Sequence, residues 1–267
     1  MVHLIFQKLG GEDEHRFRVL DLLASGIAFV ITGALVPSMA GASPPTTSAT
    51  KTMRAATAIP WALAAWVMLS AQYLVYGFWD SAQRESFLGW FVILAMALQA
   101  AITSKPDRGV RSRATWMLAA SGALSAIPWL GKPTFVLFTL AQVIALLVER
   151  GDTWRDRLRR LFVFAGGCVA GLVVPLLFLV LYGDVTAWMR ITFVDVPTMY
   201  RFIWPRPAWA IVSLPGYDTM SLTAGLTSLA LLVMIIAGKL PRRTLPIALM
   251  PVLGLVSVIA QGKGFPY

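Results

Sequence analysis

The chain of 267 residues is 57% hydrophobic and 13% charged, with a mean hydropathy of +0.70. A water-soluble domain lies nearer 45–50% apolar and about 25% charged, so a soluble enzyme, a disordered regulator and a nucleic-acid-binding domain are excluded, and a polytopic helical membrane protein remains. The net charge of +10 suits loops facing an anionic membrane surface, and the single cysteine, Cys168, excludes a disulfide framework and a Cys-type zinc site.

Taken in chain order, residues 1–18 carry an acidic cluster, Glu12, Asp13 and Glu14, followed by His15-Arg16-Phe17-Arg18. A secretory signal opens with positive charge, so this is not one; the acids read as charges at a helix N-terminus. His3 and His15 share no ligand spacing with each other or with the cysteine. A membrane span needs about 20 mainly apolar residues. Stretches free of Asp, Glu, Lys and Arg run over 22–41, 55–79, 86–104, 114–131, 133–148, 161–183, 219–238 and 244–262. They predict an all-α transmembrane bundle of about eight segments in a single domain over 1–267, since barrel strands would alternate within about ten residues.

Asp21 precedes the first segment beside Arg18 and reads as an interfacial pair. The Ser/Pro/Thr-rich stretch 43–52 reads as a flexible loop. Between 114 and 148 the only charge is Lys132. One helix over that length would be about 52 Å long, against a hydrocarbon core of about 30 Å. Gly131 and Pro133 flank the lysine, and proline suits a first helical turn. The spacing predicts a hairpin of two short helices with Lys132 at its apex.

Connections alternate sides. The group 39–58, 104–113, 149–160 and 239–243 holds 14 Lys/Arg, and the group 1–18, 80–85, 131–132, 184–218 and 263–267 holds 9 over a greater length. The denser group is expected to be cytoplasmic, which places both termini, 80–85, Lys132 and the long loop 184–218 outside, in a multi-pass protein of the bacterial inner membrane. An outward N-terminus without a signal implies a missing upstream helix, and the end Gln261-Gly262-Lys263-Gly264-Phe265-Pro266-Tyr267 stops within an outward loop. The sequence is therefore expected to be an inactive fragment that lacks its first outward loop and its C-terminal part.

Ionisable groups at a membrane edge are functional candidates by default. Asp80, Arg84 and Glu85 form a short outward loop: either two solvated carboxylates, or oxygen ligands for a divalent metal or an acceptor. Lys132 is either a snorkelling lysine or a cation facing a phosphate. The loop 184–218 carries Trp188, Trp204, Trp209, Tyr200 and Tyr217 with Arg190, Arg201 and Arg206; these are belt residues, or a surface for sugar or lipid phosphate. Gln72, Gln99 and Gln142 read as interhelical hydrogen-bond partners.

Several strings resemble the GT-C-fold glycosyltransferases, in particular the protein O-mannosyltransferase and aminoarabinose-lipid-A transferase group. Residues 9–23, LGGEDEHRFRVLDLL, resemble the approach to that group's second transmembrane helix. Residues 119–134, AASGALSAIPWLGKPT, resemble its small-residue helix followed by Lys-Pro-Thr. Gln83-Arg84-Glu85 resembles its outward carboxylate loop, and the C-terminal string a late outward motif. The likeness covers most of the chain in order, on short strings.

The resemblance implies a GT-C-like transferase that takes a sugar from a polyprenyl-phosphate donor at the outer face and passes it to a lipid, glycan or protein acceptor. Membrane lipids surround it and no nucleic acid takes part. Glu85, with Asp80, matches the second outward acidic group, as catalytic residues; Lys132, Arg84 and Arg201 are the substrate-binding candidates, and a divalent metal at Glu85 is the cofactor candidate. The family's acceptor base is expected upstream of Met1, since Glu12, Asp13 and Glu14 do not match its position. A transporter or permease subunit and a non-catalytic scaffold are the alternatives; the first would place ionisable groups near mid-bilayer and show an internal repeat.

Overall fold

The apolar stretches become helices because every backbone amide in such a run can be satisfied within its own segment. The computed structural model describes residues 14–39, 58–67, 84–102, 108–149, 153–203, 207–213 and 217–260. Its α-helices are α1 (Glu14–Met39), α2 (Ala58–Val67), α3 (Arg84–Ala101), α4 (Arg108–Ala126), α5 (Val136–Val148), α6 (Trp154–Tyr182), α7 (Val185–Arg190), α8 (Val196–Ile203), α9 (Tyr217–Ile236) and α10 (Leu245–Ala260). Among the described residues there is no strand.

Among the described residues, three helical stretches are long and apolar enough to cross a membrane: Arg18–Pro37, Trp154–Tyr182 and Arg242–Ala260. Ala58–Val67, Leu88–Ala101, Pro133–Val148 and Ser221–Ile236 are shorter apolar helices. The 13 residues of α5 reach about 20 Å, well short of a full hydrocarbon core. Only 17% of the apolar window in α6 is buried. Phe162, Val169, Leu177 and Leu181 on that helix are all more than half exposed. A water-exposed helix does not tolerate such a surface, whereas lipid accepts it at no cost.

The hairpin expected over 114–148 is present. After α4 the chain tightens into a 3-10 turn over Ile127–Leu130, passes Gly131 and Lys132, and starts again through a 3-10 turn over Pro133–Phe135. Each turn has a proline in its first two positions (Pro128 and Pro133), where a missing amide costs nothing.

Helix directions follow from the packing. Ala28 meets Trp90, while Met39 meets Ala97 and Ala100, so α1 and α3 run in the same sense. Against α2 the same helix runs in reverse, with Gly26 beside Trp66 and Gly33 on the Trp61 carbonyl. The tightest seam joins α4 to α6, also in the same sense. Gly122 lies on the Phe164 carbonyl, Gly167 on that of Ala119 and Gly171 on that of Ala123. Without a hydrophobic force between helices in lipid, such backbone approach supplies the van der Waals contact that holds them.

Among the described residues, 149–160 and 239–243 meet at one end of the bundle, and the Lys132 hairpin and the start of α3 meet at the other. Arg157 Nη2 donates to the Glu149 carbonyl and Arg242 Nη1 to the Val148 carbonyl, each at 3.1 Å. Cations thus cap the C-terminus of α5, where the helix dipole favours them. This is the arginine end; the Lys132 hairpin marks the other.

Segment 184–218, read as a loop, is largely helical. Asp184 caps α7, its Oδ1 accepting from the Ala187 amide at 3.0 Å. A π-turn over Ile191–Asp195, α8 and a 3-10 turn over Ala208–Ser213 follow. Likewise α6 begins at Trp154 rather than near 161, because Thr153 caps it and its arginines take up helical positions at the edge.

Candidate functional site

Three elements converge on the Lys132 hairpin. The side chain of Leu88, one turn into α3, covers Gly131. Trp188 of α7 donates its indole N–H to the Leu130 carbonyl at 2.9 Å. Thr134 and Ser257, near the end of α10, share a hydroxyl hydrogen bond of 2.7 Å. Lys132 itself is only 6% exposed, with Nζ 5.4 Å from the centre of the Phe135 ring. A snorkelling lysine carries its ammonium out to water; the Lys132 residue as a whole is buried. A buried ammonium needs compensation, and the aromatic face supplies part of it.

A polar ladder descends from the hairpin through the bundle. Trp129 Nε1 donates to Thr139 Oγ1 at 3.0 Å, and Thr139 shares a 2.6 Å bond with Ser125 Oγ. Gln142 Nε2 donates to Ser125 Oγ at 2.7 Å, and Gln142 Oε1 accepts from Ser121 Oγ at 3.0 Å. Gln99 Nε2 donates to the Gln142 carbonyl at 2.9 Å. Gln99 and Gln142 are thus interhelical partners, as expected from the sequence; Gln72 lies outside the described residues. Each such bond contributes about 0.6 kcal/mol on average in a membrane bundle, so the ladder fixes register among α3, α4 and α5. It holds no titratable side chain.

The other expected site residues are placed as follows. Arg84 and Glu85 open α3, which brings their backbone to the hairpin end, one turn from Leu88. Asp80 lies outside the described residues. Arg201 is exposed on α8, next to the buried Tyr200, and no described contact draws it to the hairpin. Among the described residues no three His, Cys, Asp or Glu side chains gather into a metal-ligand set. The described groups at the hairpin are an ammonium, hydroxyls and an indole, which do not make a donor set for a hard divalent ion; no step is derived through the metal expected at Glu85.

Two features escaped the sequence reading. Asp21, expected at an interface beside Arg18, is wholly enclosed, with Ser25 one turn below it also buried. The four-residue spacing of Asp21 and Ser25 is the signal that one polar face of α1 turns inward. Trp188, read as a belt residue, instead ties α7 to a carbonyl 58 positions away. No family model matches this chain, and neither does any curated protein or solved structure.

Proposed function

We propose that the protein is a membrane glycosyltransferase that takes a sugar from a polyprenyl-phosphate donor, with the donor phosphate held at the Lys132 hairpin. The observation that carries this reading is the burial of Lys132 at a bundle end where α3 begins with Arg84 and Glu85. The strings over 9–23 and 119–134 that resemble the GT-C group add to it. In this reading the hairpin end faces outward, as the distribution of arginines favours.

The chemistry required is modest. The bond between the sugar anomeric carbon and the phosphate oxygen breaks, its electron pair leaves with the phosphate, an acceptor hydroxyl oxygen bonds to that carbon, and the hydroxyl proton ends on the released phosphate. Lys132 stabilises the charge gathering on the departing phosphate, and a preorganised ammonium in a dry site is worth more there than in water. The Glu85 carboxylate stabilises positive charge growing on the sugar ring. The phosphate is the recognised group, so the test compares ligands that differ only in it. The intact protein in detergent is expected to bind a polyprenyl phosphate at least tenfold more tightly than the matching polyprenol, as measured by microscale thermophoresis. A charge-assisted contact is worth roughly 1.5–3 kcal/mol. Equal affinity for the phosphate and the alcohol would contradict the reading.

A further inference from the structure

At the arginine end, α6 presents a surface that the proposed chemistry does not use. Arg155 and Arg159 stand exposed one turn apart, and with Phe162 and Val163 they line an open concavity of about 720 Å³. Asp156, also on its wall, is engaged in the helix cap: its amide donates to Thr153 Oγ1 at 3.2 Å, and its carboxylate accepts from that hydroxyl at 2.7 Å.

The same helical face continues away from the arginines as a lipophilic stripe. Phe162, Gly166, Val169, Val173, Leu177 and Val180 follow at intervals of three or four residues, which keeps them in line. All six are exposed. Gly166 leaves a bare stretch of helix between Phe162 and Val169, where an added Cβ would meet nothing within 4 Å. From Arg159 to Val169 the helix rises about 15 Å, half the thickness of a hydrocarbon core. Two guanidiniums therefore head an apolar stripe that runs at least the depth of one leaflet.

We infer that this face of α6 binds an anionic phospholipid, with the headgroup phosphate between Arg155 and Arg159 and one acyl chain along Phe162, Gly166 and Val173. Guanidinium forks match phosphate oxygens. Arg157, Arg160, Arg242 and Arg243 stand at the same end of the bundle, so the local field favours a headgroup with net negative charge over a zwitterion, whose ammonium it repels. The inference stands independently of the activity proposed above.

Native mass spectrometry of the intact protein in neutral detergent tests it, with phosphatidylglycerol and phosphatidylcholine of identical chains as the probes. The first phosphatidylglycerol is expected to bind about thirtyfold more tightly than phosphatidylcholine, the scale of two arginines near a lipid surface. The R155Q/R159Q variant should lose that preference. Gly166→Leu, which the open space accommodates, should weaken both lipids and keep the preference. Equal binding of the two lipids by the unaltered protein, a preference that survives R155Q/R159Q, or unchanged lipid binding in Gly166→Leu would each overturn the inference. Displacement of phosphatidylglycerol by an equal concentration of inorganic phosphate would overturn it too, since the site would then read a free anion.

Discussion

In the full-length protein, Glu85→Gln is expected to lower sugar transfer from a polyprenyl-phosphate donor by about a hundredfold, with expression and thermal stability close to those of the unaltered protein. The two halves of that expectation have different causes. Glu85 is the second residue of α3, where a carboxylate interacts favourably with the helix N-terminus by about 0.3–1 kcal/mol. Neutralising it therefore costs the fold little. In the reaction, a carboxylate beside a sugar ring that gains positive charge acts only as that charge develops. Loss of one such stabiliser costs about 10²–10³ in turnover, equivalent to roughly 2.7–4 kcal/mol. The measurement is turnover at saturating donor, with the melting temperature of each preparation alongside. Unaltered turnover in Glu85→Gln would leave the carboxylate as a helix-end charge and nothing more.

Gly167→Val is expected to do the reverse, destroying stability through packing alone. A Cβ at Gly167 falls on the Ala119 carbonyl, and relief requires α4 and α6 to separate along a seam that also includes Gly122 and Gly171. Backbone cannot rotate aside as a side chain does, so the cost reaches about 3 kcal/mol or more, at the upper end for overpacked sites. That is a large share of a domain's stability of about 5–15 kcal/mol. Gly166 is the matched control. It lies next in sequence on an open part of the helix surface, and Gly166→Ala should be neutral or stabilising by up to about 1 kcal/mol, the helix-propensity difference. Thermal unfolding in detergent separates the two variants. Similar melting temperatures for Gly167→Val and Gly166→Ala would contradict the tight α4–α6 seam.

Much of the framework was legible in the residues. The hairpin could be read because one charge flanked by Gly131 and Pro133 interrupts a stretch too long for a single span. The interhelical roles of Gln99 and Gln142 could be read because a polar amide in an apolar run has few other ways to be satisfied. The bias of Lys and Arg toward one group of connections followed from counting charges between segments. Helix starts were misplaced where charge was treated as a boundary: Arg155 to Arg160 are helical because Thr153 caps the helix ahead of them.

The residues 184–218 were misread for a related reason. Tryptophans and prolines there suggested a connecting loop, yet Asp184 is a sound N-cap, and short helices need little more than a cap and an apolar face. For the enclosure of Asp21 the sequence offers only the four-residue spacing to Ser25; what covers that face depends on how α1 packs beside α3, two segments later. The approach of Trp188 to Leu130 is long-range in the same sense. As for the candidate site, residue types pointed to Lys132, and packing supplied what they could not: that the residue is buried and that the start of α3 lies beside it.

The claim on which the functional account rests is that Lys132 holds the donor phosphate, and its direct measurement is donor affinity in Lys132→Met. The methionine keeps the length and packing of the stem while removing the charge. The account predicts that the dissociation constant for a polyprenyl-phosphate sugar rises about ten- to a hundredfold, while affinity for the uncharged polyprenol and the melting temperature stay close to their original values. Unchanged affinity for the phosphorylated donor in a folded Lys132→Met protein would contradict it.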